Sequence, residues 1–378
     1  MWGLVRRDEQ THLAAILVDC AHGLKGKASR EAIAKRLIEV EHALREDVKR
    51  RERRAPGALL EQWTSPRLGQ LRHHAPVVLR VPARYLRTEP PPNAPTISIV
   101  TPSYEQGRYL TRTLCSVLDQ HYPGLEYVVQ DGGSGDETRA VLERFGGKLS
   151  HWASEPDGGQ ADAINRGFAC TDGEIMAYLN SDDLLLPGSL AYVARYFMAH
   201  PHVDVVYGHR LVIDEHDRQI GRWVLPPHLG RTLDVRDFVP QETLFWRRSM
   251  WERAGGRMDA SLSFAIDWDL LLRMRDAGAK MARLPRYLGA FRVHEQQKTM
   301  REQALCEEET ELLRRRVLGR TMTEEEALAR TSAYLRRHVV HHTAHRLLER
   351  LPLARVQVRT LPVEDVADAS AVAPFDQR

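Results

Sequence analysis

Two carboxylates, Asp182 and Asp183, stand side by side in the run Tyr178-Leu179-Asn180-Ser181-Asp182-Asp183, directly after an apolar stretch that begins at Ile175. Adjacent carboxylates at the end of a buried strand repel each other and are costly to desolvate unless a cation is present. A hard divalent cation held by one acid, with a phosphate-bearing ligand completing its oxygen shell, satisfies both constraints. The plain alternative is a surface turn, because Asn-Ser-Asp-Asp is also ordinary turn chemistry. Three further polar runs have the same setting. Asp131-Gly132-Gly133-Ser134-Gly135-Asp136 follows Leu125 to Gln130, and Glu155-Pro156-Asp157-Gly158-Gly159-Gln160 follows Leu149 to Ala153. Pro102-Ser103-Tyr104-Glu105-Gln106-Gly107 follows Thr96 to Thr101. Asp131 is placed to accept hydrogen bonds from a base or ribose, as an acid does in dinucleotide folds. The glycine pairs let backbone approach a ligand, or simply turn the chain.

The elements that must position these residues alternate. Apolar, β-rich runs at 96–101, 125–130, 149–153 and 175–179 are separated by segments of helical spacing, such as Tyr109, Leu110, Leu114, Val117 and Leu118. Alternation at this interval predicts a largely parallel sheet flanked by helices, with the polar loops along one edge. That edge is where open α/β sheets bind ligands. No GxGxxG or Walker A pattern occurs, which argues against nicotinamide enzymes and P-loop ATPases.

Composition sets the frame. Apolar residues make up 43% of the chain and charged residues 28%, near globular averages, so a sizeable core is expected. A formal net charge of +3 does not imply a nucleic-acid partner, and none is expected. Cys20, Cys115, Cys170 and Cys306 show no CxxC or Cys/His spacing and read as free thiols of a reducing compartment. No apolar run is long enough to cross a bilayer and the N-terminus lacks a signal-peptide core, so a cytoplasmic protein is expected. Residues 1–90 read as a helical region ending in a proline-rich linker, with the basic run Lys49 to Arg54 as a solvated helix end. Residues 91–300 form the main domain and 301–378 a helical extension with a disordered tail.

The motifs, taken in order, closely resemble glycosyltransferase family 2. They are Ser98 to Tyr104, Val129 to Asp136, Glu155 to Asn165 and Leu179 to Asp183, and the resemblance covers roughly residues 96–300. It implies an α/β fold of the GT-A nucleotide-sugar-binding type, with a mostly parallel sheet and helical N- and C-terminal extensions. It also implies an inverting transferase that uses a nucleotide-diphosphate sugar donor, a divalent metal (Mn2+ or Mg2+), and a glycan or lipid-linked glycan acceptor in surface polysaccharide assembly. Position by position, the resemblance puts Thr101, Pro102, Tyr104 and Glu105 against base and ribose, and Asp131 on the base. Gly158, Gly159 and Gln160 fall near the diphosphate and donor sugar, Asp182 on the ribose and Asp183 on the metal. Ser181 replaces the first acid of the family's DxD motif.

In the second half, Val203 to Gly208 reads as a strand followed by an excursion around Asp214 to Trp223. The segment from Gln241 to Arg248 resembles the family's acceptor and donor-sugar side, which would bring Gln241, Glu242 and Trp268 there. Asp267 matches the acid of the ED motif, with Ile266 in place of Glu, and would be the catalytic base. Asp269 faces away on a helix and reads as a structural acid. His294 matches a histidine that adds a metal or diphosphate contact. His338, His341, His342 and His345 read as a solvated basic face. Arg336, Arg337, Arg346 and Arg350, beside Leu347, Leu348 and Leu351, could rest on an anionic membrane surface. The rival expectations are a catalytically silent nucleotide-sugar or glycan-binding module and a sugar nucleotidyltransferase.

Overall fold

A computed structural model describes residues 74–295, 297, 303–348 and 355–358, all within the unit that spans Pro66–Arg378. The N-terminal helix, the basic run Lys49 to Arg54, Arg350, Leu351 and the tail after residue 358 lie outside the described residues.

The sheet starts as the alternating sequence requires. β2 (Ile97–Ser103) lies parallel to β3 (Leu125–Asp131), and β3 to β4 (His151–Ser154). On its other side β2 lies parallel to β5 (Ile175–Tyr178). Beyond β5 the sheet becomes mixed. β9 (Phe245–Arg247) runs antiparallel to both β5 and β7 (Val205–Ile213). β10 (Met281–Arg292) then runs parallel to β7, and short β6 (Leu184–Leu185) closes the edge antiparallel to β10. The order is β4-β3-β2-β5-β9-β7-β10-β6. The expected excursion after Gly208 is a hairpin: β7 runs on to Ile213, turns through 214–218 and returns as β8 (Gln219–Trp223).

Strand alternation divides the core between two faces. Ile97, Ile99, Tyr127, Val129, Ile175 and Ala177 face α1 (Gly107–Leu118), α2 (Thr138–Phe145) and α4 (Ser189–Ala199). The intervening residues Val100, Val128, Met176 and Tyr178 face α3 (Gln160–Phe168), α6 (Arg248–Arg253) and α7 (Ile266–Asp276). Burial on both faces explains why these strands read as continuous apolar runs and not as alternating ones. Short α5 (Gly230–Leu233) lies beside α7, as do α8 (Gln303–Leu318) and α9 (Glu324–Leu348) through Leu313 and Tyr334. A third apolar cluster joins Leu79, Val81 and Tyr85 to Leu211, Ile213, Val224 and Tyr287. Over it, β1 (Arg80–Pro82) pairs antiparallel with β11 (Arg355–Gln357).

The histidine face of α9 is not solvated. His338 meets the Trp223 ring at 6.1 Å, His342 is buried, and His345 lies 5.3 Å from Tyr287 and 6.1 Å from His209. The face is apolar enough in its aromatic edges to pack on the sheet, and burial pushes the His209 imidazole well below its ordinary pKa. Among the described residues, no helix is long and apolar enough to cross a membrane.

Candidate functional site

Parallel strands bring their carboxyl ends to one edge, so register decides which polar residues meet. Ser103 pairs with Asp131, and Asp131 with Ser154, across three adjacent strands. Both Asp131 carboxylate oxygens are engaged: Ser134 Oγ donates to Oδ1 at 2.6 Å, while Ser154 Oγ and Ser134 N donate to Oδ2 at 2.7 and 3.0 Å. Asp131 thus shapes the loop from within. Glu105 joins the same loop. Its backbone has φ +54°, its N–H donates to Ser134 Oγ at 2.7 Å, and its carboxylate accepts the Gly135 N–H at 2.7 Å. Thr101 and Pro102 are buried, and the Thr101 hydroxyl turns inward to Tyr127 at 3.0 Å, so its side chain does not reach the edge. Tyr104 does. It is 65% exposed and lies against Gly132, with Asp157 on the same glycine. Beneath it the Ser103 hydroxyl is buried and unpartnered.

The second loop ends in a helix start. Gly159 has φ +101°, a conformation closed to most side chains, and immediately precedes α3. Asp157 accepts the Gly159 N–H at 2.8 Å and Asp162 the Gly158 N–H at 2.9 Å, which fixes both glycines. Gln160 then begins a chain of amides. Its Nε2 donates to Asn180 Oδ1 at 2.8 Å, Asn180 Nδ2 donates to Gln241 Oε1 at 3.1 Å, and Gln241 Nε2 donates to the Tyr178 carbonyl at 2.7 Å. Three segments distant in sequence are locked by this chain.

The two acids that open the sequence argument differ in setting. Asp182 is partly exposed and faces His294 Nε2 at 3.0 Å. Asp183 is buried. Its Oδ1 accepts the Arg292 N–H at 2.9 Å, while among the described residues Oδ2 has only the Asn180 Nδ2 contact at 3.4 Å. Burial, then the Asp182 and Glu242 carboxylates, push the Asp183 pKa well up. Among the described residues no three His, Cys, Asp or Glu side chains converge as a metal cluster. His294 meets the turn through Asp182, the neighbour of Asp183. A buried carboxylate with one oxygen nearly free and two acids nearby does fit a cation that takes most of its remaining ligands from a bound anion.

Asp267 occupies the first turn of α7, where its Oδ1 accepts the Trp268 N–H at 2.9 Å. Burial is the main cause that moves its pKa up to about 6, and Glu242 adds to the rise. Motif spacing carries no mark of what surrounds it. Arg210 clasps Glu242 through two bonds of 2.8 and 2.5 Å, with its guanidinium 4.5 Å from the Phe291 ring. Glu242 reaches it only because Gly289 leaves room, since a Cβ there would meet Glu242 Cγ at 2.6 Å. Asp237 is exposed to solvent, yet neighbouring protein and the Asp267 carboxylate push its pKa up. The Tyr178 hydroxyl draws the group together: besides burial, Asp267, Asp237, Asp183 and Glu242 all raise its pKa. Asp183 and Asp267 both also act on Arg210.

Trp268 is corrected by the structure. It is 2% exposed, and its indole N–H donates to the Leu233 carbonyl at 2.8 Å, so it belongs to the core and not to the sugar side. Asp269 is fully buried between Arg273 and Arg316.

The chain is similar in sequence to known proteins. The family described as Glycosyl transferase family 2 matches residues 98–253. An uncharacterised glycosyltransferase of Mycobacterium tuberculosis (strain H37Rv) is 33% identical over 187 residues, 48% of this chain and 69% of that protein. A PGL/p-HBAD biosynthesis glycosyltransferase of Mycobacterium bovis (strain BCG / Pasteur 1173P2) is 31% identical over 186 residues, 48% of this chain and 70% of that protein. Among solved structures, S. aureus TarS aligns with a TM-score of 0.48 at 20% identity, over 64% of this chain and 43% of that one.

Proposed function

Because the chain belongs to glycosyl transferase family 2, we propose that it is a metal-dependent, inverting glycosyltransferase. It moves a sugar from a nucleotide-diphosphate donor to a hydroxyl of a glycan or lipid-linked glycan. One observation carries this reading: Asp183 and Asp267, from opposite halves of the sequence motif set, act on the same Tyr178 hydroxyl and the same Arg210 guanidinium.

Each residue then has a task that its surroundings support. Tyr104, exposed beside Gly132, offers a face on which the base stacks. The unpartnered Ser103 hydroxyl is a ready donor below it. Gly158 and Gly159, whose N–H groups donate to Asp162 and Asp157, fix the loop before α3, where the missing side chains leave room for the diphosphate. Asp183 would hold Mn2+ or Mg2+, with Asp182 and His294 alongside; the cation, when bound, neutralises the departing diphosphate. Asp267 takes the proton from the acceptor hydroxyl as that oxygen attacks the anomeric carbon from the face opposite the leaving group. A carboxylate with pKa about 6 is ionised at neutral pH yet basic enough to accept that proton. General-base help of this kind is worth ~10²–10⁴-fold. Gln241 and Glu242 support the sugar side, the first through Asn180 and the second through Arg210. The setting proposed is surface polysaccharide assembly, and the M. bovis relative is by its name a biosynthetic glycosyltransferase.

The test is a panel of nucleotide sugars screened for thermal stabilisation with and without Mn2+. At least one should stabilise the wild type only with the metal, and Asp183→Asn should remove that effect. A wild type indifferent to every donor, or an Asp183→Asn protein that responds as the wild type does, would overturn the reading.

A further inference from the structure

Behind the Asp182–Asp183 turn lies a buried cluster of charges that the proposed reaction does not use. Arg292, at the end of β10, is fully buried. It holds the turn twice: its backbone N–H donates to Asp183 Oδ1 at 2.9 Å, and its Nε donates to the Asp182 carbonyl at 2.7 Å. The far end of the same side chain is held by the β7–β8 turn. Nη1 donates to the Asp214 carbonyl at 3.0 Å and forms an ion pair with Asp217. Its guanidinium also lies over the Tyr109 ring at 4.9 Å, and Tyr109 packs on His294 at 4.7 Å.

Asp217 serves two buried cations. Its other oxygen accepts Arg112 Nη1 at 3.2 Å, and Arg112 is itself buried, with its pKa lowered by desolvation and then by Arg292. A single carboxylate thus keeps two guanidiniums together that would otherwise repel across a medium of low polarity. Its place is fixed by the turn. Asp214 Oδ1 accepts the His216 and Arg218 N–H groups at 2.9 Å each, and Asp217 takes φ +60° with its N–H on the Asp214 carbonyl at 3.1 Å.

We infer that Asp217 and Arg292 are positioning residues for the cation-binding acid: the β7–β8 turn, acting through Arg292, sets where the Asp183 carboxylate points. The inference rests on the reading of Asp183 as a metal-holding residue. Loss of the Asp217 charge leaves two buried guanidiniums without their shared partner, so the Arg292 side chain shifts and its Nε no longer holds the Asp182 carbonyl of the turn that carries Asp183.

The test measures Mn2+ affinity of the full chain with UDP or, separately, GDP present, alongside the affinity of each nucleotide without metal. Partners behind a metal ligand are worth roughly 10–100-fold in metal affinity. Asp217→Asn should weaken Mn2+ by about that factor while the metal-free nucleotide affinity stays near the wild-type value. Glu215→Gln, which removes a carboxylate of the same turn paired with exposed Arg108, should change neither. If Asp217→Asn does not fold, Asp217→Glu keeps the charge but displaces it, and should still weaken Mn2+ selectively. Wild-type Mn2+ affinity in the folded variant, or an equal loss with and without metal, overturns the inference alone. A wild type that binds no Mn2+ with either nucleotide, and no donor in the panel above, overturns the reading and the inference with it.

Discussion

Replacing Asp267 with Asn should make the protein more stable at neutral pH and inactive in transfer. The folded carboxyl is moved up to about 6, from the ordinary value of 3.8, chiefly by burial. One pKa unit corresponds to about 1.4 kcal/mol, so the ionised side chain costs the fold about 3 kcal/mol once pH exceeds 6. Between the two values the folded protein keeps a proton that the unfolded chain has released. Its contribution to stability therefore falls as pH rises through that window, and the cost is complete above it. Asn is neutral throughout and keeps an oxygen that can accept the Trp268 N–H. Urea unfolding followed by tryptophan fluorescence should give similar midpoints for the two proteins near pH 4. At pH 8 the variant should lead by up to about 3 kcal/mol. Donor-sugar transfer should fall by ~10²–10⁴-fold, and the wild-type kcat/KM profile should show an acid limb near the carboxyl's pKa. A variant less stable than the wild type at pH 8 would refute the electrostatic reasoning. One that transfers sugar at the wild-type rate would refute the role of base.

Two further substitutions test other parts of the site. Tyr104→Ala removes an exposed ring from the sheet edge. Loss of one base-stacking face is worth ~1–3 kcal/mol, so calorimetry should show nucleotide affinity falling about 5–150-fold with the urea midpoint unchanged. Gly289→Ala places a Cβ 2.6 Å from Glu242 Cγ and 2.7 Å from its carbonyl oxygen. Overpacking of this kind costs about 1–3 kcal/mol, and the displaced Arg210–Glu242 pair should reduce transfer as well, both read from the same preparation.

What could be read from the sequence was local. Apolar runs ending in Asp131, Gly158-Gly159 and Asp182-Asp183 give strand ends and an edge, because parallel strands share one direction. Asp267 was legible as an acid at a helix start. Trp268 was misjudged, although its own spacing held the answer: with Leu271 and Leu272 it falls on the inward stripe of α7 at i, i+3 and i+4. The histidines of α9 carried a similar signal at 338, 341, 342 and 345, in line with buried Tyr334 and Leu335. Arg210, Glu242 and Asp217 had no such mark. Their partners come from α1, β7, β10 and the segment at 241–243, and only the completed fold brings them together.

The pairing of β1 with β11 has a practical consequence. Arg80 stands opposite Gln357 and Pro82 opposite Arg355, so a piece of the chain excised for study at residues 91 and 300 would lose both partners. Leu211, Ile213, Val224 and Tyr287 would then be uncovered and prone to draw such fragments into aggregates. Because Arg80 and Gln357 are adjacent, a fragment bounded by β1 and β11 also suits rejoining: a short linker from one to the other, with new termini opened elsewhere on the surface, would preserve the clasp that trimming destroys.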